Sequence, residues 1–386
     1  MDREALIQTN GGKGGIMYGL LDEGIAVPVG RGEAPPSKKV GIPHSFFYQA
    51  GSAFSPLEGW LARHEPPFIV RFTHWGDYLA LVDVLPTVGW IDDTAAVISL
   101  LQEADQGISG LENIMRMACH GDSGMTIAHR AQEDGIDLST GVHALVQEQH
   151  LRDKSGSHVS VLQHPHVPTR FAYCGYDVYV SEDVSTGKTG LKTRSDMQFR
   201  FDDSPQYQFA PGEEFREIVY AALSGNTLDR SYAQHFELFP EKGLFLQARP
   251  FKPFQPKADF SFPLEGKAVS DDVFGITEGL RLPVAFYEKD VTLDRDSVLI
   301  NTKHSHLAPF RGMRHVRVLV DCASTSYILH GGYMFLNRAD VSLMHPLVWG
   351  DRDGNELIPW RLDSELKEGQ LAEIKSDGIH GTIVPA

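Results

Sequence analysis

Apolar residues recur at period two along 231–253, SYAQHFELFPEKGLFLQARPFKP. Phe236 and Leu238, then Leu244 and Leu246, alternate with other residues, as half-buried strands require. Pro240, Glu241, Lys242 and Gly243 supply the turn chemistry between them, so the stretch predicts a hairpin. Upstream, 67–73 (PFIVRFT) predicts an apolar strand interrupted by Arg71, and 143–149 (HALVQEQ) a strand that turns polar at its end. Strands are also expected over 155–165 and 176–182, with a flexible turn between Gly187 and Gly190. Helical spacing marks 91–106, 111–120, 125–135 and 213–224, with Asp92 or Asp93 as the N-cap of the first. Near the start, a glycine-rich turn (Gly11, Gly12, Lys13, Gly14, Gly15) leads into a short helix over 16–24 and a strand over 25–30.

After Arg249 the pattern changes. The stretch FKPFQPKADFSFPLEG carries three prolines and reads as a linker. Beyond it, 298–300 and 316–320 are buried-strand candidates, and 366–384 predicts two short strands around a polar turn. With 386 residues, two domains are expected.

Composition narrows the partners. The net charge of −16 disfavours nucleic acid as a main partner, because phosphate backbones select basic surfaces. It does not exclude a nucleotide, which needs only a few local cations. Three cysteines, Cys119, Cys174 and Cys322, are too few and too scattered for a disulfide framework or a zinc site, and they fit a reducing compartment. The opening MDREALIQTNGG has no apolar core and no run reaches membrane-span length, so the expected location is the cytoplasm, with no membrane partner. A homodimer is left open.

The hairpin carries the candidate chemistry. Gln247 and Arg249 share one strand face, and Glu237 faces as His235 does. A carboxylate, an amide oxygen and a guanidinium at one hairpin suit a divalent cation and a polyphosphate. The plain alternative is a surface hairpin with solvated charges. Lys13 in its glycine run offers a mobile positive charge beside backbone amides that can approach phosphate. It is not a P-loop, since glycine follows the lysine. Arg71 needs an anion, either a core carboxylate or a ligand. His158, His164 and His166, and separately His304 and His306, are HxH patterns that could bind zinc, but they lack a cysteine or a helix-spaced carboxylate.

In this order, the pieces resemble the pyruvate phosphate dikinase and phosphoenolpyruvate synthase family. GGKGG…GLLDEGIAVPVG is similar to its opening loop, helix and strand, and PFIVRFT sits at its phosphate-binding strand. ALVQEQ with SGSHVSVLQHP is similar to its paired strands, and HFELFPEKGLFLQARP to its acidic strand, turn and Leu-Gln-x-Arg-Pro. LEGKAVSDD…DSVLINT…VRVLVDCASTSYILHGG…LKEGQLAEIKSDGIHGTIV resembles its swivelling phosphohistidine domain. The resemblance implies an α+β chain with an ATP-grasp-like nucleotide-binding unit over 1–255 and a smaller swivelling β/α domain over 256–386.

By the same resemblance, Lys13 and Arg71 hold ATP phosphates and Gln147, Glu148 and Gln149 present backbone to adenine. Glu237 and Gln247 coordinate Mg2+, and Arg249 reaches the terminal phosphate. Two departures stand out. Phe72 and Thr73 follow Arg71, which removes one phosphate-contacting hydroxyl. Tyr327 occupies the phosphate-carrier position, and a phenol with an ordinary pKa of about 10 is a weak nucleophile near neutrality. His330, three residues on, is the substitute relay or simply a polar helix residue. There is no room for a separate phosphoenolpyruvate-binding barrel. The expected activity is ATP-dependent phosphotransfer to a small-molecule acceptor. The alternatives are a degenerate nucleotide-binding or scaffold protein, and an ATP-grasp ligase that forms an acyl phosphate.

Overall fold

The computed structural model describes residues 3–36, 39–78, 85–118, 127–133, 136–138, 142–150, 159–174, 178–185, 188–193, 213–239, 243–259, 268–270, 272–287, 292–301, 315–321, 342–345 and 366–386. Within them the chain is mixed α/β, with three sheets and few helices. It falls into two compact units, 1–158 with 212–230 and 236–250, and 159–211 with 231–235 and 251–386. The division is therefore discontinuous in sequence, whereas the proline-rich linker and the family resemblance imply a single boundary near 255.

In the first unit, helix α1 (Arg3–Asp22) precedes strands β1 (Ala26–Val29), β2 (Val40–Pro43) and β3 (Ser45–Tyr48). Helix α2 (Ser55–Leu61), strands β4 (Phe68–Thr73) and β5 (Thr87–Ile91), helices α3 (Thr94–Ala104), α4 (Ile108–Ala118) and α5 (Ile127–Glu133), and strand β6 (His143–Glu148) follow. A four-stranded antiparallel sheet runs in the order β3-β6-β4-β5. Period-two alternation sorts its side chains. Phe68, Val70 and Phe72 of β4 join Ala144 and Val146 of β6 in a core closed by residues of α2, α3, α4 and α5, Leu57, Val97, Leu111 and Ile127 among them. Burying each of these phenylalanines contributes roughly 2–3 kcal/mol. Asp93 caps α3, its Oδ1 accepting from Ala95 N at 3.0 Å. Tyr48 Oη donates to Asp105 Oδ2 at 2.6 Å, tying β3 to the end of α3. Burial, with Asp105 adding to it, pushes the Tyr48 phenol well above its ordinary pKa.

The opposite face of that sheet meets α1. The glycine run is not a simple turn before a helix, as its composition suggested. Helix continues on both sides, and the break falls at Gly11 alone, with φ 70° and ψ 171°. A Cβ on Gly15 would lie 2.8 Å from Ile7 Cα. Eight residues of straight helix span about 12 Å, so the two halves must fold back on each other. A Cβ on Gly11 would lie 2.3 Å from Thr73 Oγ1, so this glycine also lets the helix touch β4.

In the second unit, β7 (Val159–His164), β8 (Val167–Cys174), β9 (Val178–Asp183) and β10 (Lys188–Thr193) form an antiparallel meander. Strand β10 lies where Gly187 and Gly190 suggested a flexible turn; pairing with β9 through six residue pairs holds it extended. Helix α6 (Glu213–Ser224), which belongs to the first unit, spans the predicted residues. It is followed by β11 (Tyr232–Phe239) and β12 (Leu244–Pro253), the two strands of the predicted hairpin; its turn at 240–242 lies outside the described residues. In the first unit β1 pairs with β2, and Leu244 of β12 pairs with Gly41, both parallel.

The remaining strands are β13 (Ala268–Ser270), β14 (Asp272–Phe274), β15 (Ile276–Phe286), β16 (Ser297–Asn301), β17 (Val316–Asp321), β18 (Ser342–His345), β19 (Leu371–Asp377) and β20 (Gly381–Pro385). They form one sheet in the order β13-β20-β19-β15-β16-β17-β18-β14, parallel from β15 through β18. Val284, Val298, Ile300, Val318, Ile374 and Ile383 fill its core. Among the described residues, no helix is long and apolar enough to cross a membrane.

Candidate functional site

Strands β11 and β12 bring three of the expected side chains together. Gln247 Nε2 donates to Glu237 Oε1, and Arg249 Nη2 donates to Gln247 Oε1 at 3.5 Å. Arg71 Nη1 lies 3.8 Å from Glu237 Oε2. The carboxylate that Arg71 needed is therefore Glu237, and both are largely withdrawn from water. Position 237, not 235, supplies the acid that meets Gln247.

Lys13 is buried and tied to β4 beside Arg71. Its Nζ donates to Phe72 O at 3.3 Å and its N to Thr73 Oγ1 at 3.2 Å. The adjacent amide, Gly12 N, donates to His74 O at 3.1 Å. The glycine run thus spends its backbone freedom on packing against β4. Lys13, Arg71, Glu237, Gln247 and Arg249 combine an amine and two guanidiniums with one carboxylate and one amide, a set that suits an anion.

A magnesium ion would need oxygen ligands. Glu237 supplies them, and a half-turn of the Gln247 amide would exchange Nε2 for Oε1 and set two oxygens toward one point. The residues fit such an ion on that condition.

The strand end at 147–149 divides. Gln147 lies on the α1 face, its Nε2 donating to Ser45 Oγ at 2.9 Å and contacting Met17 Sδ at 3.8 Å. Glu148 points to the other face. The amides of Glu148 and Gln149 donate to His44 O at 3.1 Å and Pro67 O at 2.9 Å, so these two N–H groups are already used within the fold. The Gln149 side chain accepts from Trp90 N.

On that other face a second cluster appears. Glu148 Oε1 lies 2.9 Å from His64 Nδ1, and Oε2 lies 3.5 Å from His44 Nδ1. Neither histidine belongs to an HxH pattern. No spacing pattern joins 44, 64 and 148; the single legible hint was a carboxylate at the polar end of an apolar strand. Of the HxH patterns, His166 N donates to His164 Nδ1 at 3.1 Å, while His158, His304 and His306 lie outside the described residues, as do Tyr327 and His330.

No family model matches the chain, and no curated protein matches it. Among solved structures it is similar to the crystal structure of D-alanine–D-alanine ligase from Helicobacter pylori, at 11% identity and a TM-score of 0.32, over 62% of this chain and 54% of that one. The chain thus spans about half the ligase's length, and so loose a superposition carries no argument about chemistry. The resemblance to the dikinase family rests on its motifs alone, without a family model behind it.

Proposed function

We propose that the protein is an ATP-dependent phosphotransferase that uses Mg2+ and acts on a small-molecule acceptor. The observation that carries this reading is the convergence of Arg71, Glu237, Gln247 and Arg249 from strands that are distant in sequence, with Lys13 held beside them. Phosphoryl transfer asks a protein mainly for positioning and charge neutralisation. In this reading Lys13, Arg71 and Arg249 neutralise the phosphates. Glu237 and Gln247 would hold the metal, which would supply Lewis-acid neutralisation of phosphate charge. His330 is the relay if phosphate passes through the protein; otherwise transfer is direct.

The test is ATP turnover followed by phosphorus NMR against a panel of small acceptors. Arg249→Ala is expected to lower turnover by about 1,000-fold or more. An unchanged rate overturns the assignment. ADP with free phosphate and an amide product would point to a ligase, whereas AMP with phosphate would point to a dikinase-type reaction.

A further inference from the structure

We propose that His44, His64 and Glu148 form a binding site for a divalent transition-metal ion of the zinc type. This site does not depend on the phosphotransferase reading. Each residue comes from a different place in the first unit: His44 from the link between β2 and β3, His64 from the chain just after α2, and Glu148 from the end of β6. Each offers one ligand atom, and the three atoms lie within 4.8 Å of one another. The two imidazole-to-carboxylate separations, 2.9 and 3.5 Å, bracket the spacing of about 3.4 Å that a tetrahedral ion with bonds near 2.1 Å imposes on its donors.

The carboxylate gives the second argument. Glu148 is 6% exposed, and its buried Oε2 accepts no hydrogen bond. A buried carboxylate oxygen without a donor is costly, and a cation removes that cost. Two imidazole nitrogens and one carboxylate oxygen select a borderline metal over magnesium or calcium, which prefer all-oxygen shells. Three protein ligands leave a position open. The His44 side chain is 32% exposed, so water can reach that position.

The surroundings hold the ligands in place. Glu148 N donates to His44 O at 3.1 Å, which links the backbones of two of them. The Trp60 ring stacks on His64 at 4.2 Å and 22°. Arg31 donates to the carbonyls of Glu65, Pro66 and Pro67, gripping the chain just beyond His64. At Gly30 a Cβ would lie 3.3 Å from His44 Cε1 and 3.1 Å from Glu33 Oε2, so glycine gives the ring its room. Glu33 Oε2 accepts from Gly30 N at 2.9 Å, which places a further carboxylate close to the site.

The test uses the full chain, stripped with chelator and then titrated with Zn2+, Co2+ or Mg2+. One equivalent of Zn2+ is expected to bind and to raise the melting temperature. Co2+ is expected to give the visible absorption of a four-coordinate site, and Mg2+ to do neither. With 17 histidines in the chain, stoichiometry alone does not locate the ion, so variants decide. His44→Asn and His64→Asn should each weaken Zn2+ binding by at least about 10-fold, since even outer-shell changes cost that much. His44→Asn alters a partly exposed ring and keeps the fold, so it stands even if Glu148→Gln fails to fold. Binding as tight in both histidine variants as in the wild type overturns the proposal, as does failure of the stripped chain to bind Zn2+.

Discussion

Two carboxylates lie against opposite faces of the sheet β3-β6-β4-β5, Glu148 at the end of β6 and Glu237 from β11 beside Arg71, and they differ in the company they keep. Glu237 faces a guanidinium and an amide, beside a second guanidinium. Glu148 faces two imidazoles. An arginine is a permanent cation with no lone pair to give, whereas a neutral histidine is a ligand in waiting. The first arrangement has excess positive charge and suits an anion. The second suits a metal that accepts nitrogen. A carboxylate's chemistry is decided here by its neighbours more than by the carboxylate.

That contrast can be broken by mutation. Glu237→Ala takes the carboxylate away from the Arg71 guanidinium in a mostly buried site. It is expected to cost about 3 kcal/mol of unfolding free energy, read by urea titration. Without metal, His44→Asn is expected to change stability by less than about 0.5 kcal/mol, as at other partly exposed positions. Equal effects would erase the distinction between the clusters. Gly11→Ala tests the packing that holds Lys13 against β4. A Cβ there meets Thr73 Oγ1 at 2.3 Å on a left-handed backbone, and a loss of about 2 kcal/mol is expected. Gly30→Ala has an ordinary backbone and neighbours at 3.1–3.3 Å, so its cost should stay below about 1 kcal/mol.

The smallest effect concerns a third histidine. His143 lies on the α1 face, where burial lowers its pKa from the ordinary 6.5. Its Nδ1 accepts from Ala50 N at 3.2 Å, as only an unprotonated nitrogen can. The folded chain therefore takes up this proton at lower pH than the unfolded chain. Stability attributable to His143 is complete above about pH 6.5 and is lost as pH falls from there toward the folded value. Urea titrations at pH 7.5 and 5.5 should show this loss in the wild type and a reduced loss in His143→Asn.

Much of the fold was legible because strand and helix periods are local. The pattern marked β4, β6, α6, β16 and β17 within a few residues, and parity along β11 and β12 set Glu237 toward Gln247. Other features were hidden for physical reasons. The first half of α1, REALIQTN, mixes charge with few apolar residues, and its helix is held by folding back at Gly15. Strand β8, VPTRFAYC, has proline as its second residue and breaks its alternation at Arg170. The imidazole cluster joins residues 84 positions apart. Only the antiparallel register that pairs Phe68 with Glu148, and Ser45 with Gln147, brings them side by side.

The indole of Trp60 lying flat on His64 has a practical consequence. Any charge arriving on that imidazole, whether a proton or a metal, polarises the π cloud beneath it. Trp60 is buried, whereas Trp75 and Trp90 are about half exposed. Its emission should be bluer than theirs, which gives the molecule a built-in optical gauge of what His64 is holding.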